Sequence, residues 1–206
     1  MSAAVLRAPG AHGDYQGAKI AMWLFVFTEI ILFGGLFVLY SAYRMKHPHE
    51  FHQGGAELDY VIGVANTLIL LTSSLSMALS ITAVQKGEQR LAMFMVALTV
   101  ILGAAFLVNK YFEWGVKIRH GIYPNGPELL KLPAGEGLFF GLYFAMTGLH
   151  GLHVTAGVVL LSIMLVFLAR ERIRKEEYVK LENAGLYWHL VDVIWIFLLP
   201  LFYLAA

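Results

Sequence analysis

Two histidines lie in the middle of the longest uncharged segment of this 206-residue chain, at positions 150 and 153. Residues 137–169 include no Asp, Glu, Lys or Arg. An apolar stretch of that length predicts a helix that crosses a membrane. Titratable side chains are costly inside such a helix, so His150 and His153 mark a place where function can lie.

The spacing of His150 and His153 places them on one face of the predicted helix. Neutral imidazole is a common metal ligand, but a metal site needs three or four ligands. A haem held between membrane helices would need histidines paired across two helices, and only His189 is also predicted to be buried. Structural hydrogen bonding is therefore favoured over a metal or haem. The other histidines are predicted to be solvated in loops: His12, His47, His49, His52 and His120.

Glu29 is the only acid in the body of the first apolar segment. It follows Ala18 by eleven residues, which is roughly 16 Å along a helix and near the middle of a bilayer. An ionised carboxylate costs several kcal/mol at that depth unless it is solvated or paired. Two interpretations stay open: a protonated or water-held acid with a function, and a neutral acid hydrogen-bonded to a neighbouring helix.

His189 and Asp192 lie one helical turn apart in the last apolar segment. An Asp–His pair would offset most of the cost of burying either group, so the two are predicted to interact. Glu113 and Trp114 are predicted to anchor the third segment at the membrane interface. Hydrogen-bonding side chains in the second segment are predicted to join helices: Asn66, Thr67, Ser73 and Ser74.

Five apolar segments must position these side chains. The chain is 59% hydrophobic and 14% charged, against about 25% charged in soluble domains. We predict one all-α membrane domain over residues 1–206, a bundle of five membrane helices. The predicted spans are residues 18–43, 61–84, 91–113, 137–169 and 185–206. The loop after the fourth span is expected to extend that helix towards a turn near Asn183. Cysteine is absent, which excludes disulfides and thiolate-held iron–sulfur clusters.

Basic residues predict the direction of the spans. Lys and Arg on the side of the N-terminus number nine: Arg7, Lys19, Lys86, Arg90, Arg170, Arg172, Arg174, Lys175 and Lys180. The opposite side has five, with Lys110 near the boundary: Arg44, Lys46, Lys117, Arg119 and Lys131. Loops that stay in the cytoplasm are enriched in basic residues. The N-terminus is therefore predicted to be cytoplasmic and the C-terminus periplasmic.

Five stretches, in order along the chain, resemble subunit III of the haem–copper oxidases. They are residues 23–29, 66–74, 113–114, 147–154 and 182–195. The last two are the longest and most specific, and they include His150, His153, Glu182, His189 and Asp192. The match is to the five-helix bacterial form, which lacks the first two of seven helices. The far wall of the family's lipid-filled cleft would then come from another subunit or from lipid.

The resemblance implies an accessory subunit with no haem or copper of its own, in a proton-pumping respiratory oxidase of the bacterial inner membrane. Haem and copper would lie in partner subunits. The implied partners are catalytic subunit I, subunit II, membrane phospholipid and a larger respiratory supercomplex, with no nucleic acid. The implied role is to support complex stability, lipid binding and proton uptake. Glu29 matches the family's buried, carbodiimide-reactive glutamate. The candidate proton or lipid sites are Glu29, Glu113, His150, His153, Glu182, His189 and Asp192.

Two alternatives remain open at this point. A small membrane cytochrome b would be a self-contained cofactor protein, and the optical spectrum of the purified chain separates it from an accessory subunit. A subunit-III-like accessory protein of a nitric oxide reductase is separated by co-purification. The electron donor, cytochrome c or quinol, is also open, because donor sites lie in other subunits.

Overall fold

Six α-helices form the described part of the chain in this computed structural model, residues 10–124 and 126–204, with side chains described from residue 16 onward. They are α1 (Gly10–Lys46), α2 (Pro48–Ala56), α3 (Tyr60–Lys86), α4 (Gln89–Arg119), α5 (Ala134–Ala169) and α6 (Val179–Leu199). A 3-10 turn, Leu129–Lys131, precedes α5, and a π-helical turn, Pro200–Leu204, continues α6. Five helices are long and apolar enough to cross a membrane, all but α2. The prediction of an all-α fold with five helices able to span a membrane is confirmed for the described residues.

The ends of the helices follow from local sequence signals. Asp59 caps α3 by accepting hydrogen bonds from the backbone N–H groups of Val61 at 2.9 Å and Ile62 at 3.2 Å. Gly87 ends α3 with φ of 82°, a left-handed conformation that glycine adopts without strain. Pro48 occupies the first turn of α2, where its missing N–H costs nothing. These caps allow tight connections between long apolar helices.

Helices α3, α4, α5 and α6 form a closed ring of neighbours. Helix α3 packs on α4, α4 on α5, α5 on α6, and α6 returns to α3. Helix α1 lies outside this ring, mainly against α6, and α2 packs on α5. Most of the large apolar side chains of α1 are exposed, Trp23 at 60% for example. The four-helix ring therefore holds the core, and α1 is its more loosely attached neighbour.

Trp188 of α6 fills the space between α4 and α5. Its ring lies where a Cβ on Gly103 or Gly157 would be, at 2.6 and 2.8 Å. Its indole N–H donates to the hydroxyl of Ser73 at 3.0 Å. Small residues let helices approach closely in a membrane, where no hydrophobic effect drives them together. Two glycines thus create the slot for one fully buried tryptophan.

Several helix boundaries differ from the prediction. Helix α5 ends at Ala169 and is not extended by the charged segment that follows, and α6 already begins at Val179. The chain turns at Glu171 with φ of 51°, and the N–H of Arg172 bonds to the carbonyl of Phe167. This is a Schellman end without its usual glycine, so the sequence carried no signal for it.

The segment after the first span was expected to be a loop, but it forms α2. Phe51 on this helix is only 2% exposed, with its ring 5.3 Å from that of Tyr40 and 5.5 Å from that of Phe139. His49 and His52 are exposed as expected, though on a helix. The side chain of His12 lies outside the described residues. A nine-residue helix has too few turns for a periodic pattern to be recognised.

Candidate functional site

Glu29 and His153 meet at the contact of α1 with α5. Glu29 Oε2 lies 3.0 Å from His153 Nε2, and the two side chains are 12% and 15% exposed. The approach is at ion-pair distance and is not an aligned hydrogen bond. Each residue is near the middle of its membrane-spanning helix, Gln16–Lys46 and Ala134–Ala169. The sequence placed an acid and a histidine at this depth but did not predict that they pair.

One proton governs the state of this pair. His153 Nδ1 lies 2.8 Å from the carbonyl oxygen of Leu149. A carbonyl only accepts, so Nδ1 carries hydrogen. Nε2 then has two options: it accepts from a protonated Glu29, or it is itself protonated and faces an ionised Glu29. The arrangement can hold one proton between acid and base, and it leaves neither ring nitrogen free for a metal.

A stripe of α1 attaches this pair to the ring of helices. Phe25 stacks on Tyr187 with centroids 5.9 Å apart, and Phe33 presents an edge to His153 at 5.4 Å. The hydroxyl of Tyr187 donates to the carbonyl of His153 at 2.9 Å. Phe25, Glu29 and Phe33 follow one another at i, i+4 spacing on one helix face. Aromatic contacts therefore fix α1 on both sides of the polar pair.

His150 does not make the hydrogen bonds predicted for it. Its ring is fully buried, and neither ring nitrogen has a hydrogen-bond partner among the described groups. Phe106 lies edge-on at 5.6 Å and Trp195 lies at 5.2 Å. His150 and His153 are thus on neighbouring sides of α5 with different surroundings. The helical spacing placed them correctly, but it could not tell which helix each side chain would face.

The predicted pair of His189 and Asp192 is wrong. His189 Nδ1 lies 2.7 Å from the hydroxyl oxygen of Ser74 on α3. Asp192 is 3% exposed, and both of its carboxyl oxygens are buried without a hydrogen bond to any described group. One turn of helix brings the two Cα atoms close, but the side chains point towards different neighbours.

A second ionic cluster joins α4, α5 and the π-helical turn, and we name it the tyrosine cluster. Its members are Lys110, Glu113, Tyr143 and Tyr203. Lys110 Nζ lies 3.0 Å from Glu113 Oε2 and 2.7 Å from the hydroxyl of Tyr203. Both tyrosine hydroxyls donate to Glu113 Oε1 at 2.5 Å. The charged groups of Lys110 and Glu113 therefore have ionic and hydrogen-bond partners inside the bundle.

The tyrosine cluster gives two residues partners that the sequence did not predict. Glu113 was expected to anchor a helix at the membrane interface, and Lys110 to lie near a boundary. Their side chains are only 4% and 9% exposed. The ammonium also lies over the Trp195 ring, 5.0 Å from its centroid. The i, i+3 spacing of Lys110 and Glu113 could have signalled the pair, but the tyrosines come from distant segments.

The predicted helix-joining side chains are confirmed. Asn109 donates to Asn66 at 2.9 Å, and the Trp195 indole donates to Thr67 at 3.0 Å. Ser73 and Ser74 bond to α6, as described above. Glu182 lies in the first turn of α6 and forms a salt bridge of 2.9 Å with Lys19 of α1. Glu182 thus ties the two helices at the end opposite the tyrosine cluster.

No group of three or more His, Asp or Glu residues gathers as a metal-binding set within residues 10–124 and 126–204. The pairs and clusters in that part of the chain suit two tasks: holding helices together and holding protons. Glu29 with His153 suits the second, because an acid and a base lie 3.0 Å apart at the contact of α1 with α5.

Comparison with known proteins gives a consistent result. A family model described as cytochrome c oxidase subunit III matches residues 7–206. A cytochrome c oxidase subunit 3 of Synechocystis sp. is 31% identical over 198 residues, which cover 96% of this chain and 79% of that protein. A cytochrome bo(3) ubiquinol oxidase subunit 3 of Pseudomonas putida is 29% identical over 95% of this chain and 89% of its own length. A heme-copper oxidase subunit I+III of Aeropyrum pernix is 29% identical over 94% of this chain. The matched region covers only 24% of that longer protein.

Proposed function

The chain belongs to the cytochrome c oxidase subunit III family, and we propose that it sustains proton uptake in a bacterial respiratory haem–copper oxidase. It is an accessory subunit, and we assign haem and copper to its partners. The observation that carries the proposal is the pair of Glu29 and His153, 3.0 Å apart, each near the middle of its candidate membrane span. The pair holds one proton and does no oxygen chemistry.

The surroundings of the pair support this role. Glu29 belongs to α1, the helix with the least buried span, so the pair lies between the ring of helices and whatever covers α1 in the complex. Its carboxyl oxygen is buried but has no aligned hydrogen bond. An acid that is not locked by several donors can change its protonation state with little rearrangement. Glu29 is therefore suited to pass a proton, or to present a carboxylate to water or a lipid headgroup.

The proposed partners are catalytic subunit I, subunit II and membrane phospholipid, in the inner membrane. The relatives include both cytochrome c and ubiquinol oxidase subunits. The donor is therefore assigned by assaying the complex, purified through a tag on this chain, with reduced cytochrome c and with quinol.

The proposed orientation places the N-terminus in the cytoplasm, because nine basic residues lie on that side against five on the other. A reporter that is active only in the periplasm should be active when it is fused after Ala206. Activity of a cytoplasm-only reporter at the same position would overturn the orientation.

The substitution Glu29→Gln tests the function. Glutamine keeps the volume and can still hydrogen-bond to His153, so the subunit should assemble, but it cannot release a proton. The initial oxidase rate should stay within about threefold of wild type, because the metal chemistry belongs to other subunits. Proton uptake at alkaline pH and the lifetime of the enzyme during turnover should both fall.

Glu128→Gln is the matched control. Glu128 pairs with Lys131 at 2.7 Å on the surface, where the two side chains are 51% and 69% exposed. The chemical substitution is the same, and this variant should match wild type in both measurements. If Glu29→Gln also matches wild type in proton uptake and in lifetime, Glu29 is a packing residue and the proposed function fails.

A further inference from the structure

The two halves of α1 differ in how firmly they are attached to the bundle. Val26 alone is buried among residues 16–32, all of which the structure describes, and Phe27 is 59% exposed. In the other half Tyr40 is only 2% exposed. Its hydroxyl donates to the carbonyl of Leu201 at 2.5 Å, and its ring packs against two further aromatic rings at 5.0 and 5.3 Å. The C-terminal half of α1 is therefore anchored, and the N-terminal half is not.

Gly34 and Gly35 separate the two halves. Adjacent glycines inside a helix make it less stable and easier to bend, because glycine has the greatest backbone freedom. A Cβ at either position would meet no neighbouring group within 4 Å, and neither glycine has a positive φ. Close packing and turn geometry therefore do not require glycine at these positions, whereas a hinge does.

Two polar contacts fasten the N-terminal half of α1 to the start of α6. Lys19 Nζ lies 2.9 Å from Glu182 Oε2, and the two side chains are 39% and 23% exposed. The amide of Asn183 donates to the carbonyl of Ala18 at 3.2 Å. Water can replace partly exposed contacts of this kind at small cost, and lipid tails can replace the apolar contacts of a membrane helix. These two contacts, which we name the latch, therefore hold the N-terminal half closed but allow it to open.

The N-terminal half of α1 covers the pair of Glu29 and His153. Between the latch and Glu29, the Phe25 ring stacks on Tyr187 at 5.9 Å. The Tyr187 hydroxyl donates to the carbonyl of His153 at 2.9 Å, and Tyr187 lies one helical turn from the latch residue Asn183. Movement of Phe25 away from Tyr187 would expose a line of polar groups from the latch to the pair. A proton that enters with water along this line has an acceptor, which is the pair itself.

We propose that residues 16–33 of α1 form a lid over this pair, which bends at Gly34 and Gly35 and opens at the latch. The open lid lets cytoplasmic water deliver one proton to the pair, and the closed lid keeps that proton from returning. The purpose of the motion rests on the proposed function and orientation. The motion itself rests on the geometry of α1, so the two parts of the inference have separate tests.

Cysteine labelling measures the motion. The chain has no cysteine, so Val26→Cys places a single thiol in this subunit, at a position only 5% exposed. In inside-out membrane vesicles that contain the whole oxidase, a water-soluble maleimide should reach this thiol only when the lid opens. Met22→Cys, one turn nearer the latch, provides the thiol if Val26→Cys does not assemble. Glu182→Gln removes the ion pair of the latch and should raise the labelling rate about two- to fivefold, as expected for a partly exposed salt bridge.

The double variant Gly34→Ala with Gly35→Ala should have the opposite effect. Both positions have room for a methyl group, and alanine favours the helix, so the subunit should assemble at least as well as wild type. The stiffer helix should be labelled about tenfold more slowly and should take up protons more slowly at alkaline pH. Gly141→Ala on α5 is the matched control, because a Cβ there also meets nothing within 4 Å. It should match wild type in both measurements.

The lid is overturned if the double glycine variant is labelled as fast as wild type, or if Glu182→Gln does not raise the labelling rate. Slower labelling with unchanged proton uptake would show that the motion does not serve the pair, which overturns the purpose given to it. If labelling changes as expected but Glu29→Gln takes up protons like wild type, the motion is supported and the proposed function fails.

Discussion

The tyrosine cluster and the Glu29 pair each contain a buried acid, but the two acids differ in the number of partners that the fold provides. In the tyrosine cluster, Glu113 accepts from two tyrosine hydroxyls and from Lys110. In the pair, Glu29 meets a single partner, His153, without an aligned hydrogen bond. The carboxyl oxygens of Asp192 have no hydrogen-bond partner within the described residues.

We expect this difference to separate acids that stabilise the fold from acids that handle protons. A buried charge with several hydrogen-bond and ionic partners costs much free energy to remove, and it holds together the helices that supply those partners. The tyrosine cluster draws these from α4, α5 and the π-helical turn, so it holds one end of the bundle together. An acid with one partner or none can gain or lose a proton without breaking a network. We therefore expect the number of fixed partners, and not burial alone, to distinguish an acid that handles protons.

Glu113→Gln should have the largest effect on assembly. The change removes the counter-charge of Lys110 and leaves a buried ammonium without its acid, a loss of about 3–5 kcal/mol for a broken buried pair. The measurement is the fraction of this subunit that stays with the oxidase during detergent purification. Retention equal to wild type would show that the cluster does not support the fold.

A double variant sharpens this test. Lys110→Met alone should be as harmful as Glu113→Gln, because it strands the acid instead of the base. Lys110→Met with Glu113→Gln removes both charges and should retain the subunit better than the sum of the single losses predicts. Strictly additive losses would mean that the two residues do not share an interaction.

Asp192→Asn should have a much smaller effect on assembly. The amide has nearly the shape of the acid, and no hydrogen bond or ion pair of the described residues is lost. The expected cost is below about 1 kcal/mol, within the range of volume-conserving changes. The same retention assay measures it beside Glu113→Gln. If the two variants lose the subunit equally, the number of partners of a buried acid does not determine its contribution to assembly.

The sequence predicted the helices better than the partners of their polar groups. Hydropathy is a property of each segment alone, so five spans could be recognised. Lys110 with Glu113, and His189 with Asp192, have the same i, i+3 spacing, yet only the first forms a pair. A third residue from another segment determines whether a pair forms. Tyr203 hydrogen-bonds to both Lys110 and Glu113, whereas Ser74 contacts His189 in place of Asp192.

The contact between Glu29 and His153 could not be predicted for the same reason. Its partner His153 lies on a helix far along the chain, and single-sequence spacing reveals neighbours on one helix only. The resemblance to subunit III identified both residues as candidates but not their contact. By contrast, the hydrogen-bonding residues of the second span were predicted correctly, because small polar side chains in a membrane helix have few uses other than bonding to another helix.

We infer that the polar groups of this chain hold helices and protons, and that the metals of the oxidase lie in its other subunits. His153 has both ring nitrogens engaged, His189 is directed at Ser74, and His150 is enclosed by Phe106 and Trp195. The direct test is to separate this subunit from the purified oxidase and record its optical spectrum and its iron and copper content. We expect no haem absorption and no stoichiometric metal. A haem band or a copper ion that stays with this chain would contradict it.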